Sequence, residues 1–260
     1  MTAGRALVTG AARRLGREMA LYLARRGYDV AFHYASSRDE AEGAAAEARA
    51  LGVRAVALRA DLLVEDEVRG LVPAAAAALD GPLNVLINNA SIFEYDNIRT
   101  GTRESWDRHI ESNLRAPVAL TQDFAAQVQG PGRQGAEPLA LGLVVNMLDQ
   151  RVLKPTPEFM SYTVAKMALW AFTRTAAQAL GPVVRVNAIG PGPTLKGARQ
   201  TEEHFAAQRA ATILGRGADP DDITPALGYL LDAKAVTGQL ICVDGGQHLA
   251  WQTPDVLGVD

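Results

Sequence analysis

The sequence predicts a single α/β domain built on a mostly parallel, seven-stranded sheet with helices on both faces. Two observations carry this. Short apolar runs rich in β-branched residues alternate with longer helical segments along the whole 260-residue chain, which implies right-handed crossovers between parallel strands. No stretch rich in proline, glycine and serine separates two halves, so residues 1–260 read as one domain.

Strands are expected at 6–9, 29–34, 54–58, 84–87, 141–146, 183–188 and 239–243. Helices are expected near 16–26, 38–51, 65–79, 103–128, 158–180 and 220–232. Residues 130–135, with three glycines and a proline, read as an exposed loop. A second interruption spans 190–218 and begins at the carboxyl end of a strand, where such sheets bind ligands. A substrate lid at about 193–215 is therefore expected.

Composition narrows the function. With 26 basic and 29 acidic residues the net charge is -3, which gives no electrostatic reason to expect nucleic acid or an anionic membrane as partner. The alanine run 74–78 is too short to cross a bilayer. Cys242 is the single cysteine, so no internal disulfide forms. The chain opens into a strand without a signal-peptide pattern, and a cytoplasmic protein is expected.

After the first strand comes Thr9-Gly10-Ala11-Ala12-Arg13-Arg14-Leu15-Gly16, which opens the first helix. Glycines there let the backbone turn tightly and present N–H groups to a pyrophosphate. The dinucleotide pattern expects an acidic residue about 20 positions on, to bind the ribose 2′-hydroxyl. Here the second strand ends instead in His33-Tyr34-Ala35-Ser36-Ser37-Arg38. With His33, Ser36 or Ser37 and Arg38 as donors and no carboxylate to repel a 2′-phosphate, NADPH is the expected cofactor.

Further along, Tyr162 and Lys166 lie one helical turn apart on one face. Lys166 is expected to favour the phenolate and lower the Tyr162 pKa. Asp149 precedes Tyr162 by thirteen residues. An ionised carboxylate accepts hydrogen bonds and donates none, so this site suits a substrate bringing N–H groups or a ring nitrogen that needs a proton. The same carboxylate opposes Lys166. Either Asp149 accepts a hydrogen bond and orients the proton donor, or it shares a proton with Tyr162 and the pair titrates together. A plainer role, bracketing the loop after the fifth strand, also stands.

Taken together, Thr9-Gly10…Gly16, Asp61-Leu62, Asn88-Asn89-Ala90, Asn113, Tyr162…Lys166 and Pro191-Gly192 resemble the short-chain dehydrogenase/reductase family, from the first strand through Asp244-Gly245-Gly246. Arg14 stands where a third loop glycine is usual, and Asp149 where a carbonyl-polarising serine is usual. Both departures resemble the pteridine and dihydromonapterin reductases, as do His33-Tyr34 with Arg38, Asn89-Ala90-Ser91 followed by Phe93, and Asn146-Met147-Leu148-Asp149.

The resemblance implies a doubly wound Rossmann-type domain that binds cofactor through Gly10, Arg14, Leu15, Gly16, Tyr34, Asn88, Ala90, Ser91, Lys166, Pro191 and Gly192, with Asp61 and Leu62 flanking the adenine. Tyr162 and Lys166 would be the catalytic pair, and Asn113 would hold a water linking Lys166 to solvent. Phe93 would cover the free face of a pterin whose polar edge meets Ser91, Arg14, Asp149 and Tyr162. A homotetramer is expected by analogy alone.

The expected activity is NADPH-dependent reduction of a dihydropterin (dihydromonapterin, dihydrobiopterin or dihydrofolate) to its tetrahydro form. The alternatives are a carbonyl or 3-oxoacyl reductase and a non-catalytic NADP(H)-binding regulatory protein. Asp149 argues against the first, being a poor partner for a developing oxyanion. The proton-transfer set argues against the second. No metal is expected, because His109, His204 and His248 lie far apart in sequence with no ligand spacing. Trp106 and Trp170 read as packing or subunit contacts, and Cys242 as inert.

Overall fold

Seven parallel strands form the sheet at the centre of the computed structural model, which describes residues 2–197 and 199–252. Residue 198, within the expected lid, and residues 1 and 253–260, within the expected domain, lie outside the described residues. In chain order the strands are β1 (Gly4–Val8), β2 (Tyr28–Tyr34), β3 (Ala55–Arg59), β4 (Val85–Asn88), β5 (Gly132–Gln134), β6 (Glu137–Leu139), β7 (Gly142–Met147), β8 (Val184–Pro191) and β9 (Leu240–Val243). The helices are α1 (Arg14–Arg25), α2 (Arg38–Ala50), α3 (Glu65–Ala78), α4 (Arg103–Ile110), α5 (Ala116–Gln127), α6 (Met160–Leu180), α7 (Glu202–Ala210) and α8 (Pro220–Asp232).

Strand order in the sheet is β3-β2-β1-β4-β7-β8-β9, parallel throughout. Side chains alternate in direction along each strand, and both faces find apolar cover. Ala6, Val8, Val30, Phe32, Val85, Ile87, Leu143 and Val145 pack under α1, α2 and α8. Leu7, Ala31, Leu86 and Val144 enter the opposite core, under α3, α5 and α6. In α2 the alanines Ala41, Ala44, Ala45 and Ala48 recur at helical spacing and are buried, so that helix approaches the sheet closely.

Two elements differ from expectation. The segment read as one helix over 103–128 is two, α4 and α5, joined by a π-helical turn at Glu111–Arg115. A π turn adds one residue without breaking the helix, so hydrophobic periodicity barely registers it. Residues 130–135, read as a loop, belong to an antiparallel hairpin of β5 and β6 that turns at Gly135 (φ 62). Among the described residues, no helix is long and apolar enough to cross a membrane.

Strand order reverses between β1 and β4, and the carboxyl ends of strands around such a switch point form the crevice where α/β sheets bind ligands. Register places Asn88 of β4 beside Asn146 of β7 at that edge.

Candidate active site

Beyond β1 the chain must turn sharply into α1, and the residues there show why. Gly10 has φ 63, and a Cβ on it would stand 3.0 Å from the Ala90 Cα. A Cβ on Gly16 would stand 2.2 Å from the Gly10 carbonyl oxygen, so α1 can pack here only with glycine. Thr9 locks the turn to β4: its hydroxyl accepts the N–H groups of Asn89 (2.9 Å) and Ala90 (3.0 Å). Asn89 donates back to the Thr9 carbonyl at 2.9 Å. The first residue of α1, Arg14, has φ 55, a left-handed backbone that glycine adopts without strain. No side chain caps α1, which leaves its first-turn N–H groups free for an anion. This cradle fits a dinucleotide pyrophosphate.

Several expected cofactor residues do other work. His33 was expected as a 2′-phosphate donor. It is 1% exposed, and both ring nitrogens are engaged. Nδ1 accepts the Gly10 N–H at 3.0 Å, so Nε2 carries the proton and meets the Ala60 carbonyl at 3.0 Å. Burial pushes its pKa down to about 4, which keeps the ring neutral. His33 therefore braces the glycine turn against β3 and has no nitrogen left for phosphate. Ser36 and Arg38 are exposed and Ser37 half-buried at the mouth beyond β2, free to meet a 2′-phosphate, while Tyr34 ends that strand half-buried.

Asn88 is also a brace. Its Nδ2 donates to Asn146 Oδ1 at 2.8 Å, and Asn146 donates to Thr173 at 2.9 Å, tying β4, β7 and α6 together. Asp61 accepts the Leu63 N–H at 3.0 Å, with Leu62 buried beside it. Leu15 packs against the core under α1. Pro191 closes β8. A Cβ on Gly192 would meet the Asp244 Cβ at 2.6 Å, which fixes that turn against the chain after β9. Arg14, expected at the phosphates and the substrate edge, donates to the carbonyls of Leu195 (2.9 Å) and Lys196 (2.8 Å) in the segment expected as a lid.

Tyr162 and Lys166 lie on the buried face of α6, at 6% and 2% exposure. Tyr162 Oη donates to Asp149 Oδ2 at 3.1 Å. The other carboxylate oxygen, Oδ1, accepts the Arg151 N–H at 2.9 Å and caps the short 3₁₀ turn Gln150–Val152. One Asp149 oxygen thus brackets the loop, and the other holds the phenol proton.

Lys166 Nζ donates to the Met147 carbonyl at 2.8 Å, leaving two of its three N–H groups for other partners. Desolvation pulls the Lys166 pKa down to about 8, against the opposing pull of Asp149. The expected lowering of the Tyr162 pKa does not occur. Burial and then the Asp149 charge raise it well above the ordinary phenol value, and Arg151 and Ser91 only partly oppose them. Lys166 stands over the phenol ring, 5.7 Å from its centroid, with its Nζ hydrogen bond spent on Met147 and none made to the phenol oxygen. In this state the proton rests on Tyr162 Oη.

Asn113 lies in the π turn, fully buried, and grips the Ile92 backbone on both sides. Its Oδ1 accepts the Ile92 N–H at 2.9 Å, and its Nδ2 donates to the Ile92 carbonyl at 2.8 Å. One N–H and one oxygen lone pair of the amide are so engaged, which makes Asn113 a backbone brace.

Phe93 follows directly, 44% exposed, beside an exposed Ser91. One neighbour is Phe159, stacked at 4.2 Å between centroids and 14° between planes. Another is the Tyr162 ring, edge-on at 4.7 Å. The aromatic shelf is therefore a pair, where sequence reasoning found only Phe93. Phe159 sits at φ 58, a conformation its sequence gives no sign of. Arg151 and Arg199, also missed, place guanidinium carbons 5.2 and 5.6 Å from the Phe159 ring centroid. His109, expected not to be a metal ligand, is fully buried and bonded at both nitrogens.

The sequence matches the family described as enoyl-(acyl carrier protein) reductase over residues 10–248. Among solved structures, it is similar to FolM alternative dihydrofolate reductase 1 from Brucella suis in complex with NADP. That likeness has a TM-score of 0.90 and 42% identity and covers 98% of each chain. It is also 32% identical to the 3-oxoacyl-[acyl-carrier-protein] reductase FabG of Staphylococcus epidermidis, over 94% of this chain and 98% of that one. A short-chain type dehydrogenase/reductase from Picea abies is 30% identical over 93% of this chain and 91% of its own. Agreement of these relatives with the glycine cradle and the Tyr162–Lys166 face establishes that the chain belongs to the short-chain dehydrogenase/reductase family.

Proposed function

We propose that the protein reduces a dihydropterin (dihydromonapterin, dihydrobiopterin or dihydrofolate) to its tetrahydro form with NADPH. The observation that carries this reading is the 3.1 Å contact from Tyr162 Oη to Asp149 Oδ2. A site for ketone reduction needs donors around a developing oxyanion, and a carboxylate there works against it. A pterin brings N–H groups, which a carboxylate accepts, and a ring nitrogen that must gain a proton. The likeness to FolM alternative dihydrofolate reductase 1 supports the same reading.

The nicotinamide, when bound, supplies a hydride to the ring C=N bond. Tyr162 holds its proton on Oη in the bond to Asp149; with substrate bound, that bond gives way, the O–H turns to the substrate nitrogen and delivers its proton there. Asp149 orients that donor and accepts the pterin N–H edge. Lys166, anchored on Met147, turns its remaining N–H groups toward the nicotinamide ribose and adds positive charge under the phenol ring. Phe93 holds the flat ring, and the aromatic pair excludes water from one side. For the cofactor, the exposed Arg38 with Ser36 and Ser37 favours the 2′-phosphate.

Reduction of 3-oxoacyl thioesters is the competing reading, favoured by the FabG relative. NADPH oxidation followed with a dihydropterin, with a β-ketoacyl thioester and with neither separates the two. Turnover with the dihydropterin alone is expected. Brisk consumption of the ketone with none of the pterin would overturn the proposal.

A further inference from the structure

Beside Tyr162, a chain of four polar groups runs through the protein interior. The Asp96 side chain, 1% exposed, accepts the Ser161 N–H at 3.1 Å through Oδ1 and the Ser161 hydroxyl through Oδ2. A hydroxyl has one proton. Ser161 spends it on Asp96, so its contact with His109 Nδ1 at 2.7 Å must be one in which the ring donates. That fixes the tautomer: Nε2 is unprotonated, and it accepts the Glu94 N–H at 3.0 Å. Burial lowers the His109 pKa, which keeps Nε2 free of a proton.

This acceptor bears on the shelf because of where it lands. Asn113 grips Ile92, and His109, four residues earlier on the same helical path, takes Glu94. Phe93 lies between the two held residues. The Asp96 carbonyl accepts the Phe159 N–H at 2.7 Å, so the same segment also fixes the ring stacked on Phe93. Glu94 has a second restraint, its ion pair with Arg108 at 2.9 Å. That pair is half-exposed and holds the side chain loosely, whereas the imidazole bond comes from a fully buried ring and holds the backbone.

We infer that His109 is a positioning residue: through the nitrogen that accepts the Glu94 N–H, it holds Phe93 in register with Tyr162 and so sets how firmly a flat substrate ring is bound. The inference rests on the proposed role of Phe93 as the pterin shelf. The test compares His109→Leu, which removes the acceptor, with His109→Gln, whose amide oxygen can replace it. With His109→Leu, KM for the dihydropterin should rise about tenfold while kcat changes less than about threefold and NADPH affinity less than about twofold. His109→Gln should recover most of the loss.

Amide hydrogen exchange over residues 91–97, measured without substrate, should quicken in His109→Leu and stay slow in His109→Gln. Equal impairment in both variants, or unchanged KM and exchange in His109→Leu, overturns the inference. If wild-type protein ignores dihydropterins, the functional reading fails, and the exchange comparison still decides whether His109 clamps the segment. Should His109→Leu not fold, Ser161→Ala gives the same exchange readout by freeing the ring to turn; slow exchange there counts against the clamp.

Discussion

At the phosphate turn of the nucleotide end, contacts are made by backbone: Gly10 and Gly16 leave no room for a Cβ, and no side chain caps the first-turn N–H groups of α1. Around Tyr162 they are made by side chains carried on loops, with Asp149 from the end of β7, Phe93 from the end of β4 and Phe159 from the approach to α6. The difference sorts mutational consequences. A region built from backbone fails when shape changes by one methyl group. A region built from side chains keeps its shape and fails when one functional group is exchanged. It follows that cofactor affinity and turnover can be lost separately.

The largest effect expected is on turnover. Asp149→Ser keeps an oxygen able to cap Arg151 and so keeps the loop. Dihydropterin reduction in single turnover should drop about 100- to 1,000-fold, with NADPH affinity within about twofold. Unchanged turnover removes Asp149 from the chemistry and erases the contrast between the two ends.

Next comes His33, the buried brace of the nucleotide turn. Its folded pKa of about 4 lies below the ordinary 6.5. Between those values the unfolded chain binds a proton that the folded protein does not, so stability falls as pH drops from about 6.5 to about 4. The loss is on the order of 3 kcal/mol. Urea unfolding across that range should show this slope in wild type and lose it in His33→Gln. An identical slope in both would mean that the ring is not held neutral.

Gly16→Ala sharpens the comparison from the shape side. Its Cβ would meet the Gly10 backbone and the Asn89 amide, which is itself held on the Thr9 carbonyl. NADPH affinity by fluorescence titration should weaken by about 100-fold, equivalent to about 3 kcal/mol of overpacking. Binding within a few-fold of wild type would show that the turn yields.

Arg38→Ala is the smallest. Arg38 is exposed and has solvent as its alternative partner. NADPH affinity should fall about tenfold with NADH affinity unchanged. Parallel losses for both cofactors would place Arg38 outside the 2′-phosphate site.

The fold was legible because both faces of the sheet are covered. Long apolar runs set apart by helical patterns leave little choice of architecture, and each expected strand of the sheet forms within three residues of its predicted ends. What periodicity cannot see was lost. The π turn at Glu111–Arg115 shifts register by one residue, and the β5–β6 hairpin is too short and polar to alternate visibly.

At the site, motif residues were legible and their partners were not. His33 sits in a strand buried on both faces, so neighbouring positions gave no hint that it points inward. Phe159 joins the shelf through a left-handed backbone, and Arg151 and Arg199 through loop geometry. His109 had one usable signal: it stands a helical turn before Asn113 and shares its face. The opposition between Lys166 and Asp149 over the phenol is overridden by burial, which depends on how the folded chain packs around it.

The division of labour within Asp149 has a consequence for how acidity here can be adjusted. Its two oxygens form one rigid plane, with Oδ1 on the Arg151 amide and Oδ2 on the phenol. Rotation about a single torsion, the last in that side chain, lengthens one bond as it reorients the other. Substitutions in the Gln150–Val152 turn therefore act on the proton affinity of Tyr162 by tilting the Asp149 carboxylate, a dial on acid strength that leaves the phenol itself in place.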